Sequence, residues 1–323
     1  MGDILHTLPA VTSLKQSFPQ SKLVWLVASR WMPLLEGSPS IDELIPFNRS
    51  LPGDLQRIRK QLRALRPDMA FDFQGLLQSA LLGRASKPGK FYGFSRSVAR
   101  EPWAALFYSH RVAVAGPHRI ERNLQLAAAA GARGLTTDAW IPSGSPEGEL
   151  PAGPYILTSP FAGWPGKEWP IASFDLLGER LQRSGFELVV NVSADRLDEL
   201  KTLRHGRLHT SSLPGLIHAT RRAAAIVGLD SGPLHLAAAL KKPGVALFGP
   251  TDPKLTGPFG GSIKVLRAPG VESTYKRDSA IHSSMKQIQV DQVAEAVLQS
   301  IIEDRSRRAS SGGTLEEMTI SSR

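Results

Sequence analysis

The chain contains no cysteine, so neither a disulfide framework nor a thiolate metal site is open to it. Acidic residues are in short supply, 29 Asp and Glu against 39 Lys and Arg, for a formal charge of +10. No stretch approaches the roughly 20 apolar residues of a membrane-spanning helix. Nothing ahead of the first motif reads as a secretory leader, and the lack of cysteine is compatible with a cytoplasmic setting. Gly-x-Ser-x-Gly is absent, which counts against an α/β-hydrolase. No His, Asp or Glu cluster has metal-ligand spacing, so neither a resident metal nor a cofactor is expected.

What is present fits a globular chain, with 41% hydrophobic and 21% charged residues. Its 323 residues suffice for two domains of ordinary size. The charge is uneven. Residues 49–122 hold 14 Lys and Arg against 5 Asp and Glu, a net of +9 in under a quarter of the chain. Such a field suggests an anionic partner: a nucleic acid, an anionic lipid or an acidic glycan. A solvated basic face is the plainer alternative. The segment is expected to lack interleaved exposed aromatics and carries no known nucleic-acid motif, so no nucleic-acid partner is expected.

Helix and strand patterns alternate along the first half. A helix is expected at 8–18, closed by Pro19, and strands at 23–27 and 41–46. Leu55, Ile58, Leu62 and Leu65 recur at helical spacing over Asp54–Leu65. A strand at Met69–Asp72, a helix from 76 and a helix at 119–130 follow. Residues 136–154 turn to Pro, Gly, Ser and acidic types and read as a linker. The second half repeats the alternation, with strands at Tyr155–Thr158 and Glu187–Asn191 and helices at Ile171–Arg183, 195–204 and 213–221. A helix at 290–302 comes last, and from 304 the composition predicts a disordered tail. Repeated strand–helix units imply parallel sheets covered on both faces. Such sheets bind ligands beyond the carboxyl ends of their strands, and a cleft between two such domains is the expected site.

Four short stretches could carry chemistry. Asp230-Ser-Gly-Pro-Leu-His235 reads as strand end, tight turn and helix start, where free backbone N–H groups attract anions. It matches neither a P-loop nor a dinucleotide fingerprint. Phe248-Gly-Pro-Thr-Asp-Pro253 closes the following strand. Lys167, on a loop between Gly and Trp-Pro, could neutralise a phosphate as a compact point charge. Asp3, at or near a helix N-cap, reads either as a cap stabilising the helix by about 1 kcal/mol or as a general base. Asp230 could likewise be a cap and His235 a core histidine.

These stretches resemble the ADP-heptose:lipopolysaccharide heptosyltransferases, glycosyltransferase family 9. The matching segments are Met1-Gly-Asp-Ile-Leu-His-Thr-Leu-Pro-Ala10, Asp72-Phe-Gln-Gly-Leu-Leu-Gln-Ser-Ala80, Ala99-Arg-Glu-Pro-Trp-Ala-Ala-Leu-Phe-Tyr108, Lys167-Glu-Trp-Pro170 and the two second-half motifs above. The first and third point to the branch that adds the first heptose, heptosyltransferase I. The resemblance implies an α/β chain of GT-B type, two Rossmann-like parallel-sheet domains facing a cleft: 1–150 for the acceptor, 151–303 for the nucleotide sugar, and 304–323 as the tail. The family begins with an apolar strand before Met-Gly-Asp, so the first strand of the N-terminal domain is expected to be missing. A Cys-containing segment of other members is matched by Arg277-Asp-Ser-Ala-Ile-His-Ser-Ser-Met285, which has no cysteine.

By the resemblance, Asp3 is the catalytic base. Lys167, Asp230, Ser231, Gly232 and His235 bind the donor, with Asp195 as a candidate for its ribose. Ala162 and Gly163 fall where relatives place hydroxyls on the donor phosphates, leaving only backbone groups here. Arg100 is an acceptor-side arginine, and Arg57, Lys60 and Arg63 could meet acidic groups of the acceptor. The implied activity is inverting, metal-independent transfer of heptose from ADP-heptose to the Kdo of lipid A-linked inner core. It would be performed by a monomer peripheral on the cytoplasmic face of the anionic inner membrane. The alternatives are a family 9 enzyme with another sugar or acceptor, and a nucleotide-sugar-binding protein inactive through loss of the N-terminal strand.

Overall fold

The computed structural model describes residues 1–320, with side chains described as far as Ser310. It forms two compact units, one running Asp3–Pro142 and the other beginning at Ser143. In the first, α1 (Gly2–Ser17) leads to β1 (Val24–Ala28), β2 (Glu43–Phe47), α2 (Asp54–Leu65), β3 (Met69–Asp72), α3 (Leu77–Ala85), β4 (Lys90–Phe94), β5 (His110–Val112) and α4 (Arg119–Ala129). A 3-10 helix, Pro102–Phe107, lies between β4 and β5. The helix expected at 8–18 starts at Gly2 instead and runs through Pro9, whose missing N–H removes one backbone bond from the helix interior.

The strands of this unit form two parallel sheets, β1-β2 and β3-β4-β5. Among the described residues β1 pairs only with β2 and β3 only with β4, so each has one edge without a paired strand. Both are half-buried at all but one position. The core is correspondingly divided. Ile58 and Leu62 of α2 pack with Ile45 and Leu82, whereas Ala80 of α3 packs with Phe91, Ala104, Ala105 and Tyr108. On α2 the expected stripe holds at Ile58 and Leu62, but Leu55 is exposed.

The second unit contains β6 (Tyr155–Thr158), α5 (Ile171–Arg183), β7 (Glu187–Asn191), β8 (Arg207–His209), α6 (Leu213–Arg222), β9 (Ala225–Leu229), α7 (Gly232–Ala239), β10 (Gly244–Phe248), α8 (Pro253–Thr256), β11 (Ile263–Arg267), α9 (Ser283–Lys286) and α10 (Val290–Ile320). Its six strands make one parallel sheet in the order β8-β7-β6-β9-β10-β11. β6, β9 and β10 are buried along their whole length, as parallel strands covered on both faces are. One cluster unites the core, with Trp169, Phe174, Leu177 and Val297 among its least exposed members. The strand order reverses between β6 and β9, the crevice where open α/β sheets hold ligands.

At three places the structure differs in detail from the sequence reading. The units divide at 142/143 rather than 150/151, because residues of the Pro/Gly/Ser segment bond to the start of α6. Glu147 accepts from the Ser212 amide and hydroxyl at 2.8 Å each, and the Ser145 amide donates to the Pro214 carbonyl at 3.1 Å. The helix expected at 195–204 is a 3-10 helix, Ala194–Leu200. The Asp175 carboxylate takes the Arg204 and His205 amides at 2.5 and 2.7 Å and turns the chain there. Finally, the segment from 304 continues α10 as far as Ile320, with an Arg308–Asp304 pair one turn apart at 2.8 Å. The last three residues of the expected tail, 321–323, lie outside the described residues.

Candidate functional site

Asp3 sits in the first turn of α1, not at its cap; the cap position is Met1 and makes no side-chain bond to the helix. The Asp3 carboxylate is gripped by the Arg100 guanidinium, Nη2 to Oδ1 at 2.5 Å and Nη1 to Oδ2 at 3.1 Å. Arg119, the first residue of α4, brings a second guanidinium to 3.7 Å from Oδ1. Burial is the largest influence on Asp3 and pushes its pKa up. The Arg100 charge and hydrogen bonds, with Arg119 and His6, outweigh it and hold the carboxyl below its ordinary range. The side chain is still 45% exposed. An ionised carboxylate that remains reachable from solvent can accept a proton.

Arg100 is placed by its neighbours. Gly75 has φ +66°, and a Cβ there would come to 3.2 Å from both Ala99 Cα and Arg100 N. The Gly75 carbonyl accepts from the Glu101 amide at 2.9 Å. The turn itself is pinned by buried Asp72, which accepts from the Gln74 and Gly75 amides, the Ser79 hydroxyl and the Tyr108 hydroxyl. That last bond and burial both raise the Tyr108 phenol, so it stays a donor. Of the other basic candidates, Arg57 is engaged by Asp54 at 2.6 Å and by the Pro46 carbonyl at 2.7 Å, tying α2 to β2. Lys60 and Arg63 stand exposed on α2.

In the second unit, Lys167 follows β6 and Asp230 follows β9. They meet where the strand order reverses: Lys167 Nζ donates to the Asp230 carbonyl at 2.5 Å and to its Oδ2 at 3.1 Å. Thr256 Oγ1 donates to Asp230 Oδ1 at 3.4 Å, and His235 Nε2 lies 3.8 Å from the same oxygen. The side chains of Lys167, Asp230 and His235 are no more than 14% exposed. Ser231, in extended conformation, caps α7 by backbone position, and Gly232 and Pro233 open the helix. The hydroxyls of Thr158, Ser159 and Ser231 make no hydrogen bond within the protein. They line a cavity of about 10 Å³ at the ends of β6 and β9, room for about one water.

Not every donor-side candidate joins this group. The Ala162 amide is already taken by Glu168 Oε1 at 3.0 Å, whereas Gly163 faces open space. Asp195 is exposed in the first turn of the 3-10 helix Ala194–Leu200, where hydrogen bonds from Ser193 and its own amide lower its pKa. Its neighbour Arg196 pairs with Glu168 and lies over the Phe161 ring. The sequence reading missed Arg119, Thr158, Ser159 and Thr256. A Thr-Ser pair directly after a wholly apolar strand run was the available signal for two of them; Arg119 and Thr256 are revealed only by the fold. Among the described residues, no group of three or more His, Asp or Glu could hold a metal. No helix among them is long and apolar enough to cross a membrane.

The profile of Glycosyltransferase family 9 (heptosyltransferase) matches residues 55–285. Lipopolysaccharide heptosyltransferase 1 of Pseudomonas aeruginosa is 32% identical over 288 residues, covering 81% of this chain and 79% of that protein. Among solved structures, E. coli heptosyltransferase WaaC with ADP superposes with a TM-score of 0.73 at 26% identity, over 93% of this chain and 97% of that one. The same enzyme with ADP-2-deoxy-2-fluoro heptose gives 0.72 at 28% identity, over 94% and 96%.

Proposed function

The chain belongs to glycosyltransferase family 9, the heptosyltransferases, and has their GT-B fold; from that premise we propose that it moves heptose from ADP-heptose to the Kdo of lipid A-linked inner core. One observation carries the donor half of this reading. Lys167 and Asp230 bond across the β6/β9 reversal beside the start of α7, which is where a parallel sheet presents a nucleotide phosphate. Solved relatives hold ADP and an ADP-heptose analogue.

Each unit supplies one part of the chemistry. In the second, Lys167 and the N–H groups of α7 meet the diphosphate and stabilise the charge of departing ADP without a metal. The Ser231 hydroxyl and the Gly163 backbone stand ready for its oxygens, and Asp195 serves the ribose. In the first, Asp3 accepts the proton of the Kdo hydroxyl as that oxygen bonds to the anomeric carbon. The bond from that carbon to the phosphate oxygen breaks, its electron pair leaves with ADP, and the anomeric configuration inverts. Arg100, Lys60 and Arg63 face the acidic groups of the acceptor, whereas Arg57 stays engaged by Asp54 and the Pro46 carbonyl. That acceptor is borne by an anionic membrane, which makes the enzyme peripheral on the cytoplasmic face.

The test combines the full chain with ADP-heptose and Kdo-lipid A, with mass spectrometry of the lipid product and NMR of the new linkage. The expected result is one added heptose of inverted configuration, formed equally with EDTA. Donor affinity measured by calorimetry should fall about 10- to 100-fold in Lys167→Ala, the loss of one charge-assisted contact. Unchanged affinity would remove Lys167 from the phosphate site. Binding of ADP-heptose with no lipid product would contradict the transfer reaction.

A further inference from the structure

Twelve large apolar side chains are exposed among the described residues, and four of them fall within thirty residues: Leu77 and Leu81 on α3, Trp103 and Leu106 on the 3-10 helix Pro102–Phe107. Single exposed apolar residues are ordinary, but a cluster is not. Leu77 and Leu81 are four apart on an α-helix, and Trp103 and Leu106 three apart on a 3-10 helix, so each pair shares a face. The two elements pack side by side through small residues, Ala80 against Ala104 and Ala105. The Leu77 amide also donates to Glu101 at 2.6 Å, joining the start of α3 to the start of the 3-10 helix. The other side of α3 is occupied, since Leu82 packs with Ile58 and Leu62 of α2. The pairs therefore flank one seam and form one outward surface. Trp103 and Leu106 are each 60% exposed.

Charge surrounds this surface. Arg84 and Lys87 stand exposed at and just beyond the end of α3, and the Arg96 guanidinium lies 5.0 Å above the Trp103 ring. All of it sits within the segment of net charge +9. Leucines beside an interfacial tryptophan and a basic rim match the chemistry of an anionic bilayer: acyl chains for the apolar pairs, phosphates for the cations.

We propose that Leu77, Leu81, Trp103 and Leu106 form a wedge that inserts into the headgroup–acyl boundary of an anionic phospholipid bilayer. The wedge extends the reading of a membrane-borne acceptor, and it rests on that reading only for its use. Vesicles without any acceptor therefore test it separately from transfer. The wedge sets depth and orientation through apolar contact, while Arg84, Lys87 and Arg96 select the anionic surface. None of these residues bonds to Asp3.

The experiment is flotation of the full chain with vesicles of phosphatidylglycerol and phosphatidylcholine, and with phosphatidylcholine alone. The variants are Leu77→Ser with Leu81→Ser, Trp103→Ser with Leu106→Ser, and Leu176→Ser, an exposed leucine of the second unit, as control. Circular dichroism and thermal unfolding verify that each variant is folded. Wild type and control should float with anionic vesicles, and each double variant should lose about tenfold or more of its partitioning. Transfer to a short water-soluble Kdo acceptor should stay within about twofold of wild type, because the substitutions remove a surface and not a reacting group. Equal flotation of wild type and both double variants would overturn the wedge. So would equal binding to neutral vesicles, or loss of a concentration-dependent dimer in the variants while flotation is unchanged, which would assign the surface to a second copy of the chain.

Discussion

Two guanidinium groups crowd one carboxylate at the start of α1, and the balance of forces on that group makes a prediction about pH. Burial alone would raise the Asp3 pKa; Arg100, then Arg119 and His6, reverse the sign. A carboxyl depressed in the folded state contributes stability above its unfolded pKa of about 3.9 and loses it as pH falls through the lower folded value. The acid limb of kcat/KM should therefore lie below the ordinary carboxylate range. In Arg100→Leu the opposing burial remains, and the limb should shift to higher pH in a rate profile. An unmoved limb would mean that Arg100 does not set the charge of Asp3. Much at this scale was legible in the sequence. Asp3, Arg100, Lys167, Asp230 and His235 sit in distinctive short motifs, and the structure pairs Asp3 with Arg100 and gathers Lys167, Asp230 and His235 around one carboxylate. Arg119 was not legible, because it reaches Asp3 from 116 positions away with no motif around it. Nor does any local motif signal that the Ala162 amide, one of the backbone groups left for the donor, already has an acceptor on Glu168.

At the scale of elements, two supports hold the candidate site residues in place. The first is the turn after β3. Its φ of +66° suits glycine, and any side chain there meets Ala99 and Arg100. Gly75→Ala should cost about 1–3 kcal/mol of stability, read by chemical denaturation, and should slow kcat by displacing Arg100. A variant as stable and as fast as wild type would contradict that support. The second is the Trp169–Phe174 contact, with ring centroids 5.0 Å apart and the Trp169 indole donating to the Ile288 carbonyl. It anchors the segment that carries Lys167 onto α5. Phe174→Ala should destabilise by about 3–5 kcal/mol and weaken donor binding as well. Strong periodicity made such elements readable: Asp54–Leu65, Tyr155–Thr158 and Ile171–Arg183 lie where the pattern placed them. The failures have local causes. Pro9 disguised the start of α1, and the Asp175 carboxylate turns the chain at 204–205, beyond the 3-10 helix that ends at Leu200.

Across the whole molecule the asymmetry is electrostatic and structural together. The first unit carries the segment of net charge +9, two small sheets and a divided core, whereas the second has one six-stranded sheet around one core. A basic surface in a proposed acceptor role predicts a salt dependence that differs between the two substrates. Raising ionic strength from about 0.05 to about 0.5 M shortens the screening length several-fold. The KM for Kdo-lipid acceptor should then rise several-fold, and more steeply than the KM for ADP-heptose, whose proposed partners Lys167 and Asp230 are buried. Equal salt slopes would argue against the basic segment as the acceptor side. Composition showed the charge and where it lies along the chain, but not that Arg57 is spent on Asp54 and the Pro46 carbonyl while Lys60 and Arg63 remain exposed.

The most direct measurement is single-turnover heptose transfer by wild type and Asp3→Asn, with donor saturating and Kdo-lipid A as acceptor. The amide keeps the shape of the side chain and cannot take the proton, so the rate should fall by about 10²- to 10⁴-fold while ADP-heptose binds as before. An Asp3→Asn enzyme that transfers heptose as fast as wild type would contradict the account at its centre.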